Sequence, residues 1–386
     1  MPASIRIIGS LNADMVSVTP RFPGPGETLT ATSFTTSAGG KGANQAVACG
    51  RLSRPRPVST TSDSTIGDNK HINVEMLGAV GGLDAHFSTL LKPTLRNSGV
   101  ETSRIHEIEN EHTGVAVIIV DTSAGGENRI LFSPGANYTG MQPTPTVLGV
   151  TLSAPMPDVI VLQAEIPIQT IIEILRGVNR WKKDAREVHG QTGIDGDVEV
   201  MFNPAPAPEG GLPEDVYGAV DHLIMNETEC ELMAPASLPR KPDATESSRW
   251  DDIARYFHGL GVRYVLVTLG SQGVWYSAGD AGEARQQEQG ASWTRVVNDL
   301  PATKAEKVVD TTAAGDTFVG AYAVQVARWR DERRAAGLAS RELMVEERRE
   351  RYEKVTERAV RWATQASARC VERSGAMDSI PWEDEI

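Results

Sequence analysis

The sequence predicts an α/β fold, a doubly wound and mostly parallel sheet with helices on both faces. Two observations carry that reading. Short, almost unbroken apolar runs alternate with helical stretches along the 386 residues, the composition of strands buried on both faces. A strand, a tight turn of small residues and a helix start also follow one another in DTTAAGDTFVGA, residues 310–321.

In chain order, core strands are expected at IRIIG (5–9), VEMLGAV (74–80), DVIVLQ (158–163), VEVMFN (198–203), DHLIMN (221–226) and YVLVTLG (264–270). VAVIIVD (115–121) and ENRILFSPG (127–135) flank SAGG and read as a hairpin, because glycine supplies the turn. KVVD (307–310) reads as a further strand, with a helix over 317–329 behind it. There are no internal repeats. The length exceeds a common domain of ~100–200 residues, but large α/β folds run longer as one unit, so a single domain over 1–386 is expected.

Composition excludes several function classes. The chain is 40% hydrophobic and 23% charged, ordinary for a globular protein. Its 38 basic and 51 acidic residues leave a net charge of −13, which argues against nucleic acid and anionic membranes as partners. Cys49, Cys230 and Cys370 are odd in number and widely spaced, so a reducing compartment is expected rather than a disulfide framework. The start MPASIRIIGS lacks a signal peptide's apolar core, and no apolar run approaches the ~20 residues of a membrane span. The expected location is the cytoplasm, with the nucleus as a second one.

The DTTAAGD turn carries the chemistry. Its backbone N–H groups and the positive end of the helix behind it form an anion site. Asp316 sits beside that site, and a base next to an anion hole is the minimum for deprotonating a hydroxyl during phosphoryl transfer. A capped helix with a first-turn acid would look the same in isolation. A second region decides between them. GSLNAD (9–14), PGPGET (23–28) and AGGKGANQAVACG (38–50) place paired glycines before Lys41 and Asn44. The spacing is neither a Walker loop nor a dinucleotide fingerprint. A glycine-rich helix start with Lys, Asn and an upstream Asn/Asp pair suits a polyhydroxylated ligand, whose hydroxyls each need a donor and an acceptor.

Together these segments resemble the ribokinase-like (PfkB) carbohydrate kinase family. Further matches follow in family order: TGVAVIIVD (113–121), SPGAN (133–137), LQAEIP (162–167), FNPAPA (202–207), MNETE (225–229), TLGSQG (268–273) and SGAMDSIPW (374–382). The resemblance spans nearly the whole chain. It implies a small β-lid from about 13–37 and 112–134, covering the sugar and pairing with a second subunit in a homodimer. It also implies phosphorylation of the 5-hydroxyl of D-ribose by ATP. Another sugar or a nucleoside as acceptor, or a catalytically silent sugar- or nucleotide-binding protein, are the alternatives; an intact Asp316 argues against the last.

Residue by residue, the resemblance makes Asp316 the catalytic base and the N–H groups of Ala313, Ala314 and Gly315 the anion hole. Asn12, Asp14, Gly40, Lys41, Asn44, Glu165 and Asp316 would bind the sugar, although Lys41 and Asn44 could also serve packing or capping. Asn226, Thr268, Gly270, Gly273, Ala314 and Gly315 would line the ATP site, with Glu229 near Mg²⁺ through water; Asn226 and Glu229 also fit a capping box. Adenine contacts are expected near Thr364 or Gln365. A K⁺ site is implied at Asp310, Thr312, Cys370, Gly375 and Ser379, in a C-terminal loop that departs from the family pattern at Cys370 and at Met377–Asp378. Insertions on the family core are expected at about 53–72, 186–198, 280–304 and 331–350, the first three read as polar loops. The charged run from Arg330 to Arg358 reads as a solvated helical extension.

Overall fold

The apolar runs set the frame of the molecule. The computed structural model describes residues 2–57, 71–123, 127–238, 240, 245–280 and 294–386. Its strands are β1 Ser4–Ile8, β2 Asn12–Thr19, β3 Ser33–Gly39, β4 Asn73–Gly81, β5 Val100–Ile108, β6 Gly114–Asp121, β7 Glu127–Ser133, β8 Val159–Gln163, β9 Glu199–Asn203, β10 His222–Asn226, β11 Tyr264–Thr268, β12 Val274–Gly279 and β13 Arg295–Leu300. A nine-stranded sheet runs in the order β13-β12-β11-β10-β9-β8-β1-β4-β5. The six strands expected from apolar runs lie side by side in it and pair in parallel; β12 and β13 add antiparallel at one edge.

Successive residues of a strand face opposite sides, and the two sides bury different helices. Val159 and Val161 join the core under helices Lys41–Leu52, Ala314–Ala335 and Thr356–Val371. Ile160 and Leu162 join the core under Ile168–Glu187 and Glu246–Leu260. Each aliphatic side chain buried this way contributes about 1.5–3 kcal/mol. From β1 the main sheet grows through β4 to β5 in one direction, and from β8 to β13 in the other. The β1–β8 boundary is therefore the switch point, where such sheets leave a crevice beyond their carboxyl ends.

The second sheet has the order β3-β2-β6-β7 and corresponds to the expected lid. β6 and β7 pair antiparallel as the hairpin reading requires, while residues 124–126 of its turn lie outside the described residues. β7 is exposed along its whole length, and Phe34, Ile130, Leu131 and Phe132 are exposed large hydrophobic residues on these strands.

Three expectations are corrected. KVVD is not a strand: residues 301–310 are irregular, and the helix behind them runs over Ala314–Ala335, longer at both ends than expected. The charged run is not merely a solvated face, because Arg330, Arg333 and Arg351 are buried. Arg351 and Arg330 pair with the buried Glu199 at 2.5 and 3.2 Å, and Arg330 also pairs with Asp158 at 3.1 Å. Burial alone would push Glu199 up, but Arg351, His222 and Arg330 hold it well below the usual carboxylate range. The segment 186–198 is not simply a loop either. The helix Ile168–Glu187 runs into it, Ile194 and Val198 are buried, and Asp197 meets Lys182 and Arg263 at 3.1 and 2.9 Å. Polar composition suggested solvent in both cases, whereas partners distant in sequence neutralise the charges. Residues 58–70 and 281–293 of two further expected insertions lie outside the described residues.

Candidate active site

The switch point is pinned by one carboxylate. Glu165, just beyond β8, accepts from the Ser10 hydroxyl at 2.6 Å and from the Lys41 N–H at 3.0 Å. It thus ties the loop after β1 to the first residue of the helix Lys41–Leu52. From that loop the chain enters β2, which carries Asn12 and Asp14 as its first and third residues. Asn12 is buried, and its side-chain oxygen accepts from Asn137 Nδ2 at 2.7 Å. Asn137 also clamps the Leu11 backbone, accepting from its N–H at 2.9 Å and donating to its carbonyl at 3.1 Å. SPGAN gives Asn137 no role by itself; an Asn closing a glycine turn is the one signal of this clamp in the sequence.

The acids converge electrostatically. Burial, together with Glu165 and Asp316, pushes the Asp14 carboxyl up to about 7. Asp316 raises the Lys41 ammonium, against its burial and with Glu165 and Glu229 adding to the effect, so Lys41 stays charged among them.

Asp316 lies buried in the first turn of Ala314–Ala335. Its Oδ2 accepts from Asn44 Nδ2 and its Oδ1 from Gln45 Nε2, both at 2.9 Å. Gln45 is a second residue to which the sequence reading gave no role. The helix is entered through Ala313 in the left-handed region at φ 60°, a conformation that costs a side-chain-bearing residue about 1–2 kcal/mol. The turn holds it there: Ala314 N–H donates to the Thr311 carbonyl at 3.3 Å and Thr317 N–H to the Ala313 carbonyl at 2.8 Å. Among the described residues, the N–H groups of Gly315 and Asp316 have no backbone acceptor, as expected at a helix start.

A cleft of about 670 Å³ opens on this same helix start. Thr268, Gly270, Gly273, Ala314, Gly315 and Thr364 are among its walls, so five of the six residues expected around ATP share one space. The sixth, Asn226, sits beside Thr268 in the β10–β11 register. Of the two adenine candidates, Thr364 faces the cleft, and Gln365 lines a separate surface groove with Trp362. Asn226 and Glu229 form a reciprocal capping box, with bonds of 2.8 and 2.9 Å. Burial raises the Glu229 carboxyl, Lys41 opposing it.

The two loops expected to hold a cation do meet. Asp310 accepts from the Gly375 N–H at 3.0 Å and from the Thr312 N–H at 2.9 Å. Burial would raise its carboxyl, but the Thr312 side chain and these N–H groups hold it below the ordinary value. The Cys370 sulfur lies 3.6 Å from the Thr312 carbonyl and 3.1 Å from the Ser379 hydroxyl. The oxygens fit a hard monovalent cation; a thiol does not suit one, and burial pushes this thiol up. Among the described residues, no cluster of three or more His, Cys, Asp or Glu could hold a metal ion, so Glu229 fits Mg²⁺ only as one ligand among waters and phosphates. Among the described residues no helix is long and apolar enough to cross a membrane.

Comparison with known proteins points to one family. The family model described as pfkB family carbohydrate kinase matches residues 2–144 and 185–383. A ribokinase of Schizosaccharomyces pombe is 32% identical over 381 residues, covering 98% of this chain and 95% of that protein. A deoxyribokinase of Salmonella typhi is 29% identical over 320 residues, covering 83% and 84%. The structure of Arabidopsis thaliana ribokinase complexed with ribose and ATP superposes with a TM-score of 0.68 at 26% identity, covering 100% of this chain and 97% of that one. With a family model spanning most of its length and a relative 32% identical across nearly the whole chain, this chain belongs to the pfkB family of carbohydrate kinases.

Proposed function

We propose that the protein is a ribokinase, transferring the γ-phosphoryl group of ATP to the 5-hydroxyl of D-ribose. The carrying observation is that Asp316 stands in the turn of the helix whose Ala314–Gly315 start walls the cleft. A hydroxyl reaching Asp316 from the crevice therefore lies against the end of a nucleotide reaching it from the cleft. Similarity to ribokinases over the full chain supports ribose as the acceptor.

In this reading Asp14 and Asn12 accept from and donate to adjacent sugar hydroxyls, with Gly40, Lys41 and Asn44 closing round the ring. Glu165 holds the crevice together, since its bonds go to Ser10 and Lys41. Asp316 takes the proton of the attacking hydroxyl. The N–H groups of Gly315 and Asp316, with that of Ala313, face the developing phosphoryl charge; the Ala314 N–H is occupied by Thr311 and contributes through the turn. Mg²⁺, when bound with ATP, neutralises the phosphate charge, and Glu229 would hold it through water. A K⁺ ion held by Asp310, the Thr312 carbonyl, the Gly375 loop and Ser379 would brace the anion-hole turn. The lid excludes water that would otherwise hydrolyse ATP. Its exposed β7 edge and apolar Phe34, Ile130, Leu131 and Phe132 are a surface that natural sheets cover, which supports a homodimer through the lid.

A second acceptor is favoured by one finding: the similarity to a deoxyribokinase makes the 2-position of the sugar the open question. ADP release is measured over ribose, 2-deoxyribose, other sugars and nucleosides, with Asp316→Asn alongside. Ribose is expected to exceed every other acceptor, and the variant to lose ~10²–10⁴-fold in turnover. A preference for 2-deoxyribose or a nucleoside replaces the substrate, and no turnover with any acceptor favours a silent binder. Near-normal turnover by Asp316→Asn removes it as the base.

A further inference from the structure

Behind Asp316 runs a chain of side-chain amides that phosphoryl transfer as described does not use. Gln45 Nε2 is shared between Asp316 Oδ1 at 2.9 Å and Asn203 Oδ1 at 3.0 Å. Gln45 Oε1 accepts from Gln163 Nε2 at 2.6 Å, and Asn203 Nδ2 donates to the Ile224 carbonyl at 2.9 Å. Gln45 and Gln163 are completely buried. The direction of every bond follows from the carboxylate. An ionised carboxylate only accepts, so Gln45 must turn its NH₂ toward Asp316, leaving its oxygen for Gln163. Gln163 then points its own oxygen away, where it has no hydrogen-bond partner among the described residues. It lies against Gly9, at which a β-carbon would fall 1.9 Å from that oxygen. A buried oxygen left unpaired costs ~1–3 kcal/mol.

Neighbouring amides treat the two carboxylate oxygens differently. Gln45 is anchored by Gln163 and Asn203. Asn44 donates to Oδ2, while its own side-chain oxygen is buried and has no hydrogen-bond partner among the described residues, so none of them fixes its amide further. We propose that Gln45, braced by Gln163 and Asn203, is a positioning residue that holds Asp316 Oδ1, so that Oδ2 faces the sugar hydroxyl once Asn44 turns from it to the sugar. This rests on Asp316 being the base. Amides suit the task because they orient a carboxylate without titrating themselves.

The test compares kcat, sugar KM and the pH profile of kcat for Gln45→Met, Gln45→Glu and Gln163→Leu in the full-length enzyme, with Asp316→Asn as reference. Misplacing a catalytic group slightly can cost ~10²-fold, so Gln45→Met is expected to lose about that in kcat while sugar KM moves by less than about threefold. Gln45→Glu sets a second carboxylate against Oδ1, which favours protonation of Asp316, so the acid limb of the profile should move to higher pH. Gln163→Leu, one bond further out, should show the same split between kcat and KM at a smaller loss, and it decides the matter if melting curves show that Gln45→Met does not fold. Turnover by Gln45→Met within about twofold of the parent, against the ~10²-fold expected, overturns the proposal, as does an unmoved acid limb in Gln45→Glu. If Asp316→Asn itself stays active, the assignment of the base has failed; if it is inactive while Gln45→Met is not, only the positioning role has.

Discussion

The Asp14 carboxylate rests against the backbone of Gly39 on the adjacent lid strand, so closely that a β-carbon at residue 39 would fall 2.1 Å from Asp14 Oδ2. No side chain fits there without displacing the acid. Gly39→Ala should therefore weaken sugar binding while leaving ATP binding alone. Each charge-assisted hydrogen bond lost from Asp14 is worth ~1.5–3 kcal/mol. Isothermal titration with ribose and with ATP separates the two effects, and unaltered ribose affinity would place the sugar elsewhere.

Asp14 also carries a pH signature. Its carboxyl is pushed up to about 7 in the folded protein by burial, Glu165 and Asp316, against ~3.9 in an unfolded chain. Between those values the folded state binds more protons, so stability falls as pH rises from about 4 to about 7. Asp14→Asn removes that loss. The variant should melt above the parent at pH 8, with the gap narrowing at pH 5, while its ribose affinity drops. A gap of equal size at both pH values would show that Asp14 stays ionised throughout.

The cation reading turns on Asp310, which joins the loop before the anion hole to Gly375. Exchanging K⁺ for Na⁺ should lower turnover, because a smaller ion brings the Thr312 and Ser379 oxygens together less well. Asp310→Ala should abolish the difference between the two ions and leave far-ultraviolet circular dichroism unchanged. Equal parental rates in K⁺, Na⁺ and a bulky organic cation would show that a chain with Cys370 at this point holds no such ion.

Arg351 should matter for folding and not for chemistry. It contacts both oxygens of Glu199 and stacks on Trp329 at 3.8 Å. Arg351→Met leaves a buried carboxylate short of one cation, a change that costs about 3–5 kcal/mol in buried pairs. Urea unfolding should show a loss of that size, with kcat per folded molecule unchanged at low temperature. A loss below about 1 kcal/mol, the range of exposed pairs, would mean that Arg330 and His222 suffice.

Much of the candidate site's local geometry was legible because its residues sit in short motifs that fold locally. The glycines of AGGKGANQ, the small residues of DTTAAGD and the Asn–Glu spacing of NETE each fold as a turn or helix start whatever surrounds them. Gln45 and Asn137 stand inside GGKGANQA and SPGAN and still show no role in the sequence alone. Their partners, Asp316 and Asn12, lie 271 and 125 residues away, and an amide's usefulness depends wholly on what it meets. The KVVD reading failed for a related reason. Val308 and Val309 are exposed on a loop, whose Val309 and Asp310 N–H groups donate to the Val371 carbonyl at a helix end instead of to a strand.

The six core strands and the turn carrying Asp316 were determined by the sequence itself, because apolar period and small-residue turns act over a few residues. Which charges are buried was decided only in three dimensions. Arg330 and Arg351 belong to a run that reads as solvated, yet they close on Glu199, a residue of β9 that packing leaves without access to water. A charge goes inside only where an opposite charge waits, and that pairing is a property of the assembled fold.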